Sequence, residues 1–453
     1  MHITFIRPNM TDSRSSDAME PLVFAILSGL TPPHVERTLV DERLEAIPYD
    51  TPTDLVAMTV ETYNARHAYQ IAGEYRRRGV PVVMGGYHPT FLPDEARRFG
   101  DAVVIGDAEG LWPRVVADAE TGRLRSVYRQ DDYPTLDGLM PDRAIFKGKR
   151  YAPAALVQYG RGCRYACEFC SIHAFYGTNL RQRPVREVVE EIELANKKHV
   201  FLVDDNIFVD IAKAKELFHA LIPLKVRWSC QVSIDVTRDR ELLALMEASG
   251  CTTAVVGFES LNEANLTQMK KKWNLKHGDY ATAVEKLRDH GIMIYGSFVF
   301  GYDEDTPDSF DVTLEFAQDN KFYIANFNPL TPMPGAKLYA RLQREGRLVY
   351  NAWWLEPQYR YGQATFNPRR MTADQLTEGC FRVRRDFYAY SSTIQRAFDP
   401  RTNSRDLYRL GLHVASNYVA RREIMNKQGQ HLGSSEPLGL SEPTPNVPIE
   451  GTM

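Results

Sequence analysis

The stretch YGRGCRYACEFCSIHAFYG, Tyr159 to Gly177, holds three of the chain's six cysteines, Cys163, Cys167 and Cys170, within eight residues. Their spacing is C-x3-C-x2-C, and the aromatic Phe169 directly precedes the last thiol. Structural metal sites close their coordination, whereas catalytic ones keep a position free. A four-iron cluster takes four ligands, so three thiolates leave one iron open to a chelating molecule. The number three therefore points to reactivity rather than scaffolding. A zinc reading would recruit His173 as a fourth ligand, but structural zinc sites usually come as paired short knuckles and no second Cys/His pair lies nearby. On the cluster reading His173 is an ordinary loop histidine.

Composition sets the context. A chain of 453 residues with 43% apolar content is long enough for two or three cores. The net charge of −3 offers no basic field for nucleic acid, and Arg76-Arg77-Arg78 reads as solvated helix surface. No apolar run approaches the roughly 20 residues needed to span a bilayer, and the N-terminus lacks a signal-peptide layout. The expectation is a cytoplasmic protein with no nucleic-acid partner and no transmembrane segment. Six cysteines are too sparse for a disulfide framework, and in a reducing compartment a local cluster more often means metal or catalysis.

Outward from the cysteine loop, residues 151–348 alternate apolar runs with helical stretches. Strands are expected at Ala155–Tyr159, Val200–Val203, Trp228–Ile234, Thr253–Phe258, Met293–Phe300 and Tyr323–Pro329. Six strands separated by helices predict a partial (β/α)6 barrel with its active site at the carboxyl ends of the strands. Residues 1–122 read as a doubly wound α/β domain of flavodoxin-like type, with short Val/Ile/Leu-rich runs bounded by turns. Its ligand edge carries Pro8-Asn9, Thr59 to Asn64, Gly85 to Thr90 and Gly106 to Glu109. The plainer account of Gly85-Gly86 is a chain turn. Residues 123–150 read as a linker, 349–426 as a mostly helical C-terminal domain, and 427–453 as a disordered Gly/Ser/Pro-rich tail.

The cysteine loop follows the first barrel strand, and Cys163, Cys167, Phe169 and Cys170 match every position of the signature CxxxCxΦC. On these residues the chain resembles the radical S-adenosylmethionine (SAM) superfamily over roughly residues 151–348. The resemblance implies a [4Fe-4S] cluster on the three cysteines. It implies SAM chelated at the open iron and cleaved reductively to a 5′-deoxyadenosyl radical, and an external electron donor such as flavodoxin or ferredoxin. SAM contacts are expected from Asp204 and Asp205, which could equally cap the following helix. Gln231 and Ser233, which share a strand face, and Glu259 and Ser260 are expected to join them. In GSFVFGYDEDT, Gly296 and Gly301 are expected to let adenine approach the fifth strand.

The segments GGYHPTFLPDEA and VIGDAEGLWP resemble the cobalamin-binding domain of the B12-dependent radical SAM group, many members of which are methylases. That resemblance implies Tyr63 and Asn64 near the lower corrin face, Gly85, Gly86 and Gly106 near the nucleotide tail, and His88 among the cofactor contacts; without cobalamin the glycines are turn residues and the domain a relic or a substrate platform. The loop after the first strand, RPNMTDSRSSD, lacks the histidine of the D-x-H-x-x-G pattern, so imidazole ligation of cobalt is not expected. The C-terminal stretches FNPRRMTADQL and RVRRDFYAYSSTIQRAF resemble an extension found in a group that includes hopanoid methylases, and a helical cap over the barrel mouth would exclude solvent.

The implied activity is cobalamin-dependent methylation of an unactivated carbon in a small-molecule substrate, with no residue assigned as general acid or base. Cyclisation, oxidation or rearrangement without methyl transfer is the alternative within the superfamily. A non-catalytic electron carrier or corrinoid-binding module is the alternative outside it.

Overall fold

A computed structural model describes residues 1–11, 13–130, 132–208, 210–275, 279–434 and 438 of the chain. Its first sheet contains β1 (His2–Arg7), β2 (Glu36–Asp41), β3 (Leu55–Thr59), β4 (Val82–Gly85), β5 (Ala102–Ile105) and β6 (Val127–Arg129). All six are parallel, in the order β2-β1-β3-β4-β5-β6. Successive strand residues point to opposite faces, and each face here has its own core. Ile3, Phe5, Leu55 and Ala57 pack with Phe24 and Trp112 on one side. Ile6, Val56, Met58 and Val82 pack with Tyr69, Ile71 and Tyr75 of the helix Ala65–Arg77 on the other. The strand order reverses between β1 and β3, and open sheets of this kind bind ligands beside such a switch.

β6 lies inside the stretch expected to be a linker, and the 3-10 turn Arg143–Phe146 after it buries Phe146 against the same sheet. The strand is three residues long and buries only Tyr128, too short to show a period.

The second sheet is built from β7 (Ala154–Val157), β10 (His199–Leu202), β11 (Arg227–Val232), β12 (Cys251–Glu259), β13 (Met293–Phe300) and β14 (Ile324–Pro329). β8 (Gly160–Arg161) and β9 (Arg181–Gln182) form a small antiparallel pair beside it. The order β7-β10-β11-β12-β13-β14 follows the chain, every pair is parallel, and β14 does not pair with β7, so the barrel is partial. On β13, Gly296, Phe298 and Phe300 are buried under the helices while Tyr295, Ser297 and Val299 are half-buried. On β14, Ala325 and Phe327 alternate in the same way with Ile324, Asn326 and Asn328. The inward-facing set keeps access to solvent, unlike the filled interior of a closed eight-stranded barrel.

Helix Ala373–Phe387 packs against β14 and begins with a reciprocal capping box between Thr372 and Gln375. Helices Tyr390–Ala397 and Leu407–Lys427 follow. Arg396 bolts these helices to the barrel. It is fully buried and donates to the carbonyls of Phe322, Tyr323 and Phe387 and to Asn417 Oδ1. Residues 428–434, which composition assigns to the tail, instead return to the N-terminal region. Gly433 N donates to Met10 O at 3.0 Å, Ser13 Oγ donates to Gln430 Oε1 at 3.2 Å, and Leu432 is buried in the first sheet's core. This ordering comes from contacts across the whole chain length, which local composition does not encode. The rest of the expected tail, apart from residue 438, lies outside the described residues.

Replacing Arg396 with Met removes its donors from four buried acceptors, of which the Tyr323 carbonyl keeps Asn417 Nδ2 at 3.0 Å. The expected loss is about 3–5 kcal/mol of unfolding free energy, read from urea denaturation of the full chain; a loss below about 1 kcal/mol would contradict the role assigned to this side chain.

Candidate functional site

The carboxyl ends of both sheets border one cavity of about 820 Å³. The first sheet contributes Pro8 and Asn9 after β1, Glu61, Tyr63 and Asn64 after β3, Gly85 and Gly86 after β4, and Gly106 to Glu109 after β5. The barrel side contributes Leu156, Gln158, Arg161, Tyr176 and Val203.

The cysteine loop enters from β8 and is fastened on three sides. Asp204 accepts the backbone N–H groups of Gly160 and Tyr159, and Asp205 accepts that of Gly162 at 2.8 Å. Gly162 has φ +93°, and a Cβ there would meet the Asn179 carbonyl, so glycine is required. Glu168, between two of the cysteines, is gripped by Arg341 through Nε at 2.8 Å and Nη2 at 3.3 Å, while its backbone N–H bonds Met269 O and its carbonyl accepts from Leu338. Phe169 packs against the barrel core.

Burial pushes all three thiols up, Cys167 to about 12, with Lys271 opposing the rise at Cys163 and Cys167. Backbone N–H groups of Tyr165 at Cys163, and of His173 and Ile172 at Cys170, favour the thiolate form, as does the Asn206 side chain at Cys163. Hydrogen bonds to sulfur are one of the levers by which a protein tunes an iron–sulfur cluster. Among the described residues, no three His, Cys, Asp or Glu side chains could share one metal ion. A cluster in which each thiolate takes its own iron needs no such convergence. His173 Nδ1 lies 3.0 Å from the Gly177 carbonyl, within its own helical turn. The donor set thus fits a cluster with an open iron better than a closed zinc site.

The residues expected around SAM divide into two sets. Gln231 is exposed and donates to the Asp205 carbonyl at 3.1 Å, so Gln231 and Asp205 sit together on the rim. Glu259 has φ +66° at the end of β12 and pairs with Lys271 Nζ at 2.7 Å, a partner the sequence reading missed. Lys271 also donates to the Gly257 carbonyl at 2.8 Å. Asp204 and Ser233 are committed internally. Asp204 is buried and its carboxyl is pushed up to about 7 by burial against the N–H groups it accepts, and Ser233 Oγ accepts from Asn206 at 3.1 Å. Ser260 is buried and accepts from Asn262 N at 3.1 Å.

Gly296 and Gly301 are corrections. A Cβ at 296 would stand 2.5 Å from the Phe322 ring, on the helix-facing side of β13, and one at 301 would meet Leu376 and Phe366 at 2.8 and 2.9 Å. Both glycines are demanded by aromatic and aliphatic packing outside the lumen, because strand alternation turns position 296 away from it.

In the first sheet, Gly85, Gly86 and Gly106 all border the cavity, and a Cβ at Gly106 would meet nothing within 4 Å. Tyr63 O–H pairs with Thr331 Oγ1 at 3.0 Å, and its ring packs on Trp353 and Tyr361. Asn64 caps its own loop by accepting the Glu61 N–H at 2.8 Å and donates to the Pro8 carbonyl. His88 is corrected. It is fully buried, with Nε2 2.9 Å from Glu95 Oε1 and Nδ1 3.3 Å from Thr62 Oγ1. The short helix Tyr87–Phe91 turns this position inward, where Glu95 also accepts from Trp354. The glycine-lined edge, open at Gly106, fits a large ligand lying against backbone.

One group that sequence reasoning missed joins the two sheets. Arg161 donates to Asp107 Oδ1 at 3.0 Å and to Glu109 Oε1 at 2.5 Å. Arg181 Nη1 lies 2.7 Å from Asp107 Oδ2 in ion contact without hydrogen-bond alignment. Burial would raise Glu109, but Arg161 beside it holds the carboxyl below its ordinary value. The available signal was opposite charge at two strand ends, in GDAEG and YGRGC, but nothing in the sequence says that those ends meet.

A family model described as the Radical SAM superfamily matches residues 157–317, and one described as the B12 binding domain matches residues 26–116. The chain is 31% identical over 389 residues to bacteriochlorophyllide d C-12(1)-methyltransferase of Chlorobaculum tepidum, covering 83% of this chain and 84% of that protein. It is 29% identical over 367 residues to bacteriochlorophyllide d C-8(2)-methyltransferase of the same organism, covering 76% and 80%. The structure of the radical SAM methyltransferase TsrM from Kitasatospora setae, with cobalamin and a [4Fe-4S] cluster bound, shares the fold at a TM-score of 0.62 and 17% identity, over 94% of this chain and 98% of that one.

Two substitutions test this geometry. Gly296→Ala is expected to cost about 1–3 kcal/mol of stability by overpacking while leaving SAM affinity, measured by calorimetry, unchanged; weakened SAM binding at full stability would restore the adenine reading. Arg161→Met leaves buried Glu109 without its counter-ion and Asp107 with Arg181 alone, and is expected to cost about 3–5 kcal/mol, seen as a lower denaturation midpoint.

Proposed function

The chain belongs to the B12-binding radical SAM enzymes, and from that premise we propose that it methylates an unactivated carbon of a bacteriochlorophyllide-like macrocycle. The observation that carries this reading is the single cavity bordered by both sheets. One edge comes from the sheet matched as a B12 binding domain, the other from the barrel that holds the three-cysteine loop. The substrate class is supported by the two relatives named as bacteriochlorophyllide methyltransferases.

When bound, SAM at the cluster supplies a radical able to take hydrogen from an unreactive carbon, and cobalamin supplies the methyl group. The protein's part is to hold and to shield. Cys163, Cys167 and Cys170 would each hold one iron, on a loop whose position Glu168, Asp204 and Arg161 fix from three directions. Asp205, Gln231 and the Glu259–Lys271 pair, on the rim of the barrel, would partner the polar ends of SAM. Tyr63, Asn64, Gly85, Gly86 and Gly106 would border the corrin, with backbone approach at Gly106. Helix Ala373–Phe387 covers the outer face of the barrel's last strand, where Phe327 meets Phe387. A flavodoxin or ferredoxin would supply electrons, in the cytoplasm. No helix among the described residues is long and apolar enough to cross a membrane.

Anaerobically reconstituted protein given SAM, cobalamin, a chemical reductant and a bacteriochlorophyllide should yield 5′-deoxyadenosine, S-adenosylhomocysteine and a product heavier by one methylene in equal amounts. Cys167→Ala should abolish 5′-deoxyadenosine while cobalamin still binds. Finding 5′-deoxyadenosine without S-adenosylhomocysteine would remove methyl transfer and leave the radical chemistry, and finding neither would remove both.

A further inference from the structure

Four basic side chains border the cavity: Arg7, Arg43, Arg161 and Lys427. Three have counter-ions. Arg43 donates to Asp41 through Nε at 2.9 Å and Nη2 at 2.6 Å, Arg161 is shared by Asp107 and Glu109, and Lys427 lies 2.8 Å from Glu423. The Arg7 guanidinium has neither a hydrogen bond nor an ion pair among the described residues. Asp41, its register partner on β2, is fully buried and already saturated by Arg43 and by the Tyr151 hydroxyl at 3.0 Å. Glu61, the acid that acts on Arg7 most strongly, is exposed and spends its carboxylate on the Asn64 N–H at the start of the next helical turn.

Position matters as much as isolation. Arg7 is the last residue of β1, paired on one side with β2 and adjacent on the other to β3, so it stands at the switch in strand order. Burial disfavours its charged form, yet arginine does not give up its proton in proteins. A desolvated cation without a partner is costly, and the cost is relieved when a ligand brings the missing charge.

We propose that Arg7 is the anion-binding residue of the cavity, receiving two oxygens of a carboxylate or phosphate on the bound ligand. A guanidinium presents a planar fork that matches either group. The inference rests on the preceding reading only in taking this cavity as the ligand site. Two molecules could bring the anion: the corrinoid, through the phosphodiester of its nucleotide, or the macrocyclic substrate, through a side-chain carboxylate.

Equilibrium binding to the full chain separates these sources without any turnover, so a failure of methylation leaves the test standing. Absorbance titrations compare hydroxocobalamin with cobinamide, which lacks the nucleotide phosphate, and chlorophyllide a with its methyl ester. Arg7→Gln is expected to weaken binding of one anion-bearing probe about 10- to 100-fold and to leave the counterpart that lacks the anionic group unchanged. A loss confined to hydroxocobalamin assigns the phosphate, and one confined to chlorophyllide assigns the carboxylate. Equal weakening of both members of each pair, or of none, overturns the proposal. Should the variant not fold, the wild-type chain suffices: affinity for one probe that carries the phosphate or carboxylate must fall more steeply with salt than affinity for its counterpart without that group, and parallel salt dependence in both pairs overturns it.

Discussion

Arg161 stands two residues before the first cluster thiol, yet both of its hydrogen-bonded carboxylates come from the other sheet. Desolvating three charges consumes much of the Coulombic gain, so such a triad contributes little net stability. Its contribution is registry. With Asp107 and Glu109 fixed at the end of β5, the cysteine loop has one position relative to the glycine-lined edge. Two ligand sites on separate sheets can cooperate in one reaction only if their separation is held, since small misplacements of reacting groups cost orders of magnitude in rate.

The remaining fastenings extend that constraint. Asp204 and Asp205 tie the loop to the end of β10, and Arg341 ties it to the helix Lys337–Arg344 beyond β14. The loop is thereby pinned to the first and last parts of an unclosed sheet. Rigid elements hold the thiols, while on the lumen side of β13 and β14 Ser297, Asn326 and Asn328 stay half-buried, Asn326 donating to the Tyr295 hydroxyl at 2.8 Å. Lys271 is the nearest positive charge to two of the thiols and is shared with Glu259, so one cation serves both the sulfur ligands and the rim.

What the sequence displayed was periodicity and local spacing. The apolar runs of β1, β3 and β5 were visible because parallel strands buried on both faces read as continuous Val, Ile and Leu, and the six barrel strands because apolar runs recur between helical stretches. C-x3-C-x2-C was visible because its chemistry is confined to eight residues. What it hid depended on which way a side chain faces or on partners far along the chain. Gly296 looked like room for a flat ring, but one step of strand alternation puts its open side against Phe322. His88 looked like an edge ligand, but a single helical turn buries it against Glu95. Lys271 had no motif around it, and Arg7 was an unremarked letter before Pro8-Asn9.

The contacts of Met10 and Ser13 with residues 430–433, and of Ser16 with Glu423, bring two distant segments together beside the cavity, which Met10, Ser15 and Lys427 border. The entropy of closing a loop rises only logarithmically with its length. Joining segments more than four hundred residues apart therefore costs only about 0.6 kcal/mol more for each doubling of their separation. This makes the two segments a single clasp: a cut or bulky insertion at residue 428 would also unfasten the segment around Met10 and Ser13.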